Sequence, residues 1–378
     1  MSDSRRPFGR TGVWISPLTL GAMNFGARAN ADHADSIRII HAALAGGINA
    51  IDTADVYSGG ESEEIVGKAL KGRRDEVFLA SKFHGQVGEG EWRRGNSRRW
   101  INLAIEDSLR RLGTDWIDLY QVHRPEDETD FEETLGALND LVRAGKIRYI
   151  GTSTFDPWEV VEGQWVARTH GWSRVVSEQP PYSILARGIE RELLHVASRY
   201  DLAVLPWSPL AGGWLSGRHR RGIEQPVSSR ASRLPGRFDL ARPENQAKLE
   251  AAIALGELAD EAGLSLIHLA LAFVLEHPAV TSAIIGPRTL EHLQSQLGAG
   301  DVKLSQDVLD RIDEIVPPGT TVNAADAGYL PPSLSTPARR RGGPANTGPR
   351  AAWPPHAAQA SANGKPAAAA RTLAASGA

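Results

Sequence analysis

Three stretches decide how this chain folds: Ile51-Asp52-Thr53-Ala54-Asp55-Val56-Tyr57, Ala80-Ser81-Lys82-Phe83 and Tyr120-Gln121-Val122-His123. Each closes a short apolar run with an ionisable side chain, the pattern of a strand leaving a core at its C-terminal end. An isolated charge at such a place costs several kcal/mol if nothing meets it, of the order of 2–7 for any buried polar group. Three successive strands carry one each, and Tyr57 lies just beyond the first. The economical reading is that Asp52, Tyr57, Lys82 and His123 converge on one another.

Outward from these stretches the pattern repeats. Short apolar runs at 18–21, 147–151, 175–178, 203–207 and 283–286 join those at 49–52, 77–81 and 117–122. Amphipathic stretches separate them at 33–45, 62–70, 97–112, 131–144, 157–168, 189–200 and 244–262, with 290–297 after the last run. Strands alternating with helices in this way build a parallel sheet, either closed or open and doubly wound. The open form predicts a phosphate-binding glycine loop after an early strand. No Gly-x-Gly-x-x-Gly occurs, and 60–68 has the wrong glycine spacing for a Walker loop and lacks its Ser/Thr. The closed form predicts polar, chemically useful residues at the C-terminal ends of several strands. The expected fold is therefore α/β, a single (β/α)8 TIM barrel over 1–330.

The four converging side chains have a chemical logic. A phenol, ordinarily titrating at about 10, is a weak acid near neutrality. An ammonium beside it favours the phenolate, and an aspartate keeps that ammonium charged and in place. A histidine can donate a hydrogen bond to a substrate oxygen. Such a group is a general acid for carbonyl reduction and a general base for alcohol oxidation.

Composition narrows the alternatives. The 378 residues carry a formal net charge of −3, which gives no basis for general affinity to nucleic acid or an anionic membrane. With no cysteine, disulfides, thiolate catalysis and cysteine-ligated metals are excluded, no metal is expected, and a cytoplasmic protein is the default. The polar N-terminus, with Arg5, Arg6 and Arg10, does not read as a signal peptide, and no stretch has the apolar length of a membrane span. Arginine outnumbers lysine 35 to 7, a bias that fits GC-rich coding and a bacterial source. From 331 to 378 there are six basic residues, no acidic one, and 28 of Ala, Pro or Gly, so a disordered basic tail is expected there.

The stretches 52–60, Lys82, 119–125, 151–155 and 207–210 closely resemble the signatures of the aldo-keto reductase superfamily, and the match runs from about Arg6 to Val316. Gly95-Asn96-Ser97-Arg98-Arg99 resembles the aryl-alcohol dehydrogenase-like branch, near the potassium-channel β-subunits. The resemblance implies a catalytic tetrad of Asp52, Tyr57, Lys82 and His123 and an NADPH/NADP+ cofactor. By the same resemblance Ser153 and Gln179 hydrogen-bond the nicotinamide carboxamide, Thr154 beside Ser153 belongs to the cofactor site, and Trp207 stacks on the ring. Ser208, Pro209 and Leu210 close the seventh strand with Trp207 on the cofactor side, the loop 211–218 with Gly212 and Arg218 resembles the segment that covers the cofactor, and Arg230 falls where relatives have another basic contact. After the last strand, Gly286 and Arg288 open a helix whose free amides suit a phosphate, with His292 and Gln296 on the same face as Arg288. Three arginines near the adenosine end favour NADPH over NADH, because a guanidinium fork suits the 2′-phosphate.

The substrate is expected to be a small carbonyl or alcohol, walled by Met23, Asn24, Phe25, Phe83, His84, Trp92 and Trp214. Two alternatives differ in kind: a non-catalytic NADPH-binding regulatory subunit of the potassium-channel β type, and a pathway-specific alcohol or sugar dehydrogenase. The channel subunits in this family typically replace the tetrad histidine, which this chain retains as His123.

Overall fold

Residues 5–228, 231, 234–331, 334 and 337–341 are described by the computed structural model. A hairpin of β1 (Arg6–Pro7) against β2 (Trp14–Ile15) precedes eight parallel strands. These are β3 (Leu18–Gly21), β4 (Ala50–Asp52), β5 (Phe78–Phe83), β6 (Ile117–Val122), β7 (Ile147–Thr152), β8 (Val175–Glu178), β9 (Ala203–Val204) and β10 (Ala283–Ile285). They lie in the order β10-β3-β4-β5-β6-β7-β8-β9. The ring closes where Val204 bridges Val280 and Ile284 N donates to Pro206 O at 2.9 Å. The fold is the (β/α)8 barrel that the alternating pattern predicts.

Strand alternation decides what fills the barrel. Side chains two apart share a face, so Ala50 and Asp52, then Phe78, Ala80 and Lys82, then Leu119 and Gln121 point alike. Ala50, Phe78, Ala80 and Leu119 join Phe8, Ile15, Val176, Ala203, Leu205 and Ile284 in one apolar cluster. Phe8 stands 4.8 Å from Phe78, ring centre to ring centre, so the hairpin stoppers the N-terminal end. Apolar layers therefore fill the bottom, and the polar members of the same rows surface at the top. Gly151 is needed in this row, because a Cβ there would lie 2.5 Å from Ser177 Oγ and 2.9 Å from Gln121 Cγ.

Outside the strands pack α1 (His33–Ala45), α2 (Glu61–Ala69), α3 (Arg98–Leu112), α4 (Phe131–Arg143), α5 (Pro157–His170), α6 (Leu193–Tyr200), α7 (Pro235–Phe238), α8 (Pro243–Glu261), α9 (Leu266–Glu276), α10 (Leu290–Gln294) and α11 (Gln306–Ile315). Local chemistry sets their ends. Ser97 caps α3 at Trp100 N and Gly113 ends it left-handed, while Asp156 and Glu159 form a capping box on α5. The hairpin, α9 and α11 were not anticipated, and the expected helix at 290–297 stops at Gln294.

The chain divides after Tyr329 into two units. Of the expected tail, 332–333, 335–336 and 342–378 fall outside the described residues, and Pro337–Arg341 is a single helical turn. Among the described residues no single helix is long and apolar enough to cross a membrane.

Candidate active site

The four side chains singled out by the sequence do converge at the C-terminal mouth of the barrel. Lys82 Nζ donates to Asp52 Oδ1 at 2.5 Å, to Thr53 O at 2.7 Å and to Tyr57 OH at 3.2 Å. Its three donors are thereby all used. Lys82 is wholly buried, and burial alone would pull its pKa down; the charges of Asp52 and Tyr57 outweigh that and hold it above the ordinary value. Asp52 Oδ2 accepts from Gln121 Nε2 at 3.1 Å and from Gln179 Nε2 at 2.9 Å. The buried ion pair is thus fully bonded on both sides, the condition under which such a pair persists.

Tyr57 and His123 are half-buried where the ion pair meets the mouth, their rings 5.7 Å apart and edge to face. Burial, helped by the charges of Lys82, Arg124 and His84, pushes His123 well below the usual imidazole range. A neutral imidazole has one N–H to donate.

The turn carrying Tyr57 is unusual. Ser58, Gly59 and Gly60 have φ of 51°, 68° and 103°, and a Cβ on Gly60 would meet Arg111 Cδ at 2.7 Å. Arg111 is fixed in turn, because its Nε donates to Glu63 Oε2 at 2.7 Å while Ser81 Oγ donates to Glu63 Oε1 at 2.5 Å. Beneath the turn Asp55 is buried with neither carboxyl oxygen bonded to another side chain. Burial, then the charge of Glu63, holds its pKa well above the usual range against the pull of Arg111, the Val56 amide and Lys82.

The residues expected to hold a cofactor lie on the neighbouring strand ends. Ser153 Oγ donates to Gln179 O at 2.9 Å, and Thr154 adopts a left-handed φ of 61°. Gln179 turns its amide nitrogen inward onto Asp52. Trp207 is half-buried with its Nε1 unbonded, the Arg124 guanidinium 5.9 Å from its ring centre, and Gly328 packed against its edge. From Ser208 through Pro209 and Leu210 the chain enters a tight turn, with positive φ at Ser208, Ala211, Gly212 and Gly213. Arg218 follows. Burial, then the nearby charge of Arg288, lowers its pKa, and no carboxylate among the described residues offsets them. Arg230 lies outside the described residues.

Around α10 the expectation needs correction. Thr289 Oγ1 already accepts from His292 N at 3.2 Å, and the helix has only five residues. Gln296 lies past its end, buried, with Nε2 donating to His292 O at 2.5 Å, so the proposed three-residue face does not exist. Gly286 O is taken by Asn24 Nδ2 at 2.7 Å.

Of the expected pocket walls, Met23 and Trp92 are exposed, and His84 is half-buried with Nδ1 3.0 Å from Asn96 Oδ1. Three others do not face a mouth. Phe83 follows Lys82 and so points the opposite way, fully buried with its ring 5.0 Å from Tyr120. Phe25 is fully buried in the outer core. Trp214 is buried between His219 and Phe238, with Nε1 donating to Arg237 O at 3.2 Å. Conversely Gln121, Arg124 and Glu178 belong to the site and were not singled out. Gln121 had a signal, since it sits between Leu119 and His123 in the inward row.

Among the described residues no group of three or more His, Asp or Glu is placed to hold a metal ion. The Aldo/keto reductase family model matches residues 17–317. The chain is 38% identical over 320 residues to the uncharacterized oxidoreductase YrpG of Bacillus subtilis, covering 82% of this chain and 94% of that protein. It is 34% identical to the versiconal hemiacetal acetate reductase of Aspergillus parasiticus, over 81% of this chain and 95% of that one. It is 31% identical to a proposed voltage-gated potassium channel subunit beta of Schizosaccharomyces pombe, over 82% of this chain and 92% of that one. With a barrel of this topology and a match over most of its length, the chain belongs to the Aldo/keto reductase family.

Proposed function

We propose that this oxidoreductase reduces an aldehyde or ketone to the alcohol with NADPH, and runs the same reaction in reverse. One observation carries the reading: Lys82 Nζ stands 3.2 Å from a half-buried Tyr57 OH while held at 2.5 Å by Asp52. NADPH, when bound, supplies the hydride. Tyr57 gives its hydroxyl proton to the carbonyl oxygen, and the Lys82 ammonium stabilises the phenolate that remains. His123, kept neutral, donates a hydrogen bond to the same oxygen and orients it. Asp52, bonded by Gln121 and Gln179, keeps the ammonium from moving.

The cofactor fits what is present. Arg288 lies close enough to Arg218 to lower its proton affinity, and no carboxylate among the described residues offsets that charge, which suits phosphate groups. Ser153 and Gln179 would hold the carboxamide, and Trp207 would offer a flat face to the ring. NADPH consumption against aromatic aldehydes, sugar aldehydes and diketones tests the activity. Tyr57→Phe should lower turnover by about 10² to 10⁴ and leave NADPH binding unchanged. Near-wild-type turnover in that variant removes Tyr57 from its role. The similarity to the S. pombe channel subunit supports a second reading, NADPH binding without turnover, which a wild type inert across the whole panel would favour.

A further inference from the structure

Glu178 ends β8, is completely buried, and has no part in the proton path above. Its side chain reaches back to the turn after β7. Oε2 accepts from Thr152 Oγ1 at 2.5 Å, Oε1 accepts from Phe155 N at 3.2 Å, and the Thr154 amide also bonds the carboxylate. That turn needs holding, because Thr154 is β-branched and sits at φ 61°, a conformation such residues avoid. The turn also carries Ser153, whose hydroxyl donates to the backbone of Gln179, the residue after Glu178. The turn and the end of β8 therefore form one bonded unit with Glu178 as its tie.

We infer that Glu178 is a positioning residue for the nicotinamide: its carboxylate locks the turn at residues 153–155, and so the grip of Ser153 and Gln179, while its protonation loosens that grip. The inference rests on the proposed use of a nicotinamide cofactor. A carboxylate accepts charge-assisted bonds at both oxygens, whereas a neutral carboxyl turns one oxygen into a donor and weakens what the other accepts from the turn's amides. Burial pushes Glu178 up to about 7 against the bonds from Thr152, Phe155 and Thr154, and the charge of Glu159 adds to the rise. The charged groups facing it are Glu159 on the first turn of α5, itself raised to about 7 by burial, and Arg124 after β6. Because the deprotonated form is the one that grips, the cofactor Kd should rise as pH falls through about 7. The rise approaches tenfold per pH unit until the protonated form's own affinity takes over.

The full chain is titrated with NADPH and, separately, with NADH across this pH window. NADH lacks the 2′-phosphate, whose own titration near about 6 would otherwise overlap. Wild type should show the step with both. Glu178→Gln cannot ionise, so its Kd should be raised roughly tenfold above the step and be flat through it, with KM for cofactor raised and kcat at saturation kept. Glu159→Gln should keep the step but move it to lower pH, since a like charge is gone. If Glu178→Gln does not fold, Thr152→Val removes one donor to the carboxylate and should move the step to higher pH. A wild-type step that survives in Glu178→Gln, or that Thr152→Val leaves in place, overturns the inference. A wild type that binds both cofactors without a step overturns it too and leaves the proposed function standing. A wild type that binds neither overturns both.

Discussion

The Arg218 guanidinium has the charge of Arg288 near it and no carboxylate among the described residues to offset it. Each would lower the cost of this repulsion by gripping an anion, and the two need not grip the same one. If Arg288 meets the 2′-phosphate, Arg288→Ala should raise the Kd for NADPH and barely alter that for NADH. Hydrogen bonds to charged groups are worth about 1.5–3 kcal/mol, so roughly a ten- to hundredfold loss is expected. Arg218→Ala should weaken both cofactors alike if it reaches the pyrophosphate, which they share. Quenching of tryptophan fluorescence on binding, with Trp207 half-buried at the mouth, reports both constants. Equal losses at Arg288 would sink the 2′-phosphate assignment and leave the roles of Tyr57 and Lys82 untouched.

Between strand and helix, the turn from Tyr57 to Gly60 is the element on which the proton donor depends. Its last residue, Gly60, has φ 103° and faces Arg111, so Gly60→Ala must both strain the backbone and displace that arginine from Glu63. A loss of about 1–3 kcal/mol is expected, read as a lower denaturant midpoint, together with a fall in kcat larger than any change in cofactor Kd. Unchanged kcat would mean the turn tolerates a side chain without moving Tyr57. Elements such as this were legible where two periodicities met. Alternating inward rows ending in charge located β4, β5 and β6, and the amphipathic pattern placed α1 at 33–45, where it lies. Helix α9 escaped because Leu-Ile-His-Leu-Ala-Leu-Ala-Phe-Val-Leu-Glu is apolar on nearly every side and mostly buried, so it has no helical stripe to read. The β1–β2 hairpin has two residues per strand, too few for any period. Phe83 was misplaced for the opposite reason: being aromatic and near the mouth counted for more than its parity, which Lys82 had already settled. Glu178 and Arg124 were invisible because their partners, a backbone turn and a neighbouring ring, are brought together only by the barrel.

The whole molecule separates its jobs by depth, with Phe8 and the apolar rows at the bottom and the charges at the top, and that arrangement makes stability depend on pH. Asp55 shows the sign plainly. Its carboxyl is held well above the ordinary value in the fold, chiefly by burial and then by Glu63, so the folded chain keeps a proton that the unfolded chain loses first. The stability it supports is full below the unfolded value, near 3.8, and drains away as pH rises toward the folded one. Glu178 and Glu159, both raised to about 7, push the same way. His123, depressed well below the imidazole range, pushes the other way and costs stability as pH falls. The sum cannot be assigned to one group from a single melting curve, but a difference between variants can. Asn has the shape of a neutral Asp and no proton to lose, so Asp55→Asn should match or slightly trail the wild type at low pH and overtake it as pH rises. Each kcal/mol regained should appear as roughly 1–2 °C in Tm for a barrel of this length. A Tm difference that stays constant from acid to mildly alkaline pH would mean that Asp55 ionises in the fold much as it does in the unfolded chain, its charge carried by the Val56 amide, Arg111 and Lys82 despite the burial beneath the Tyr57 turn.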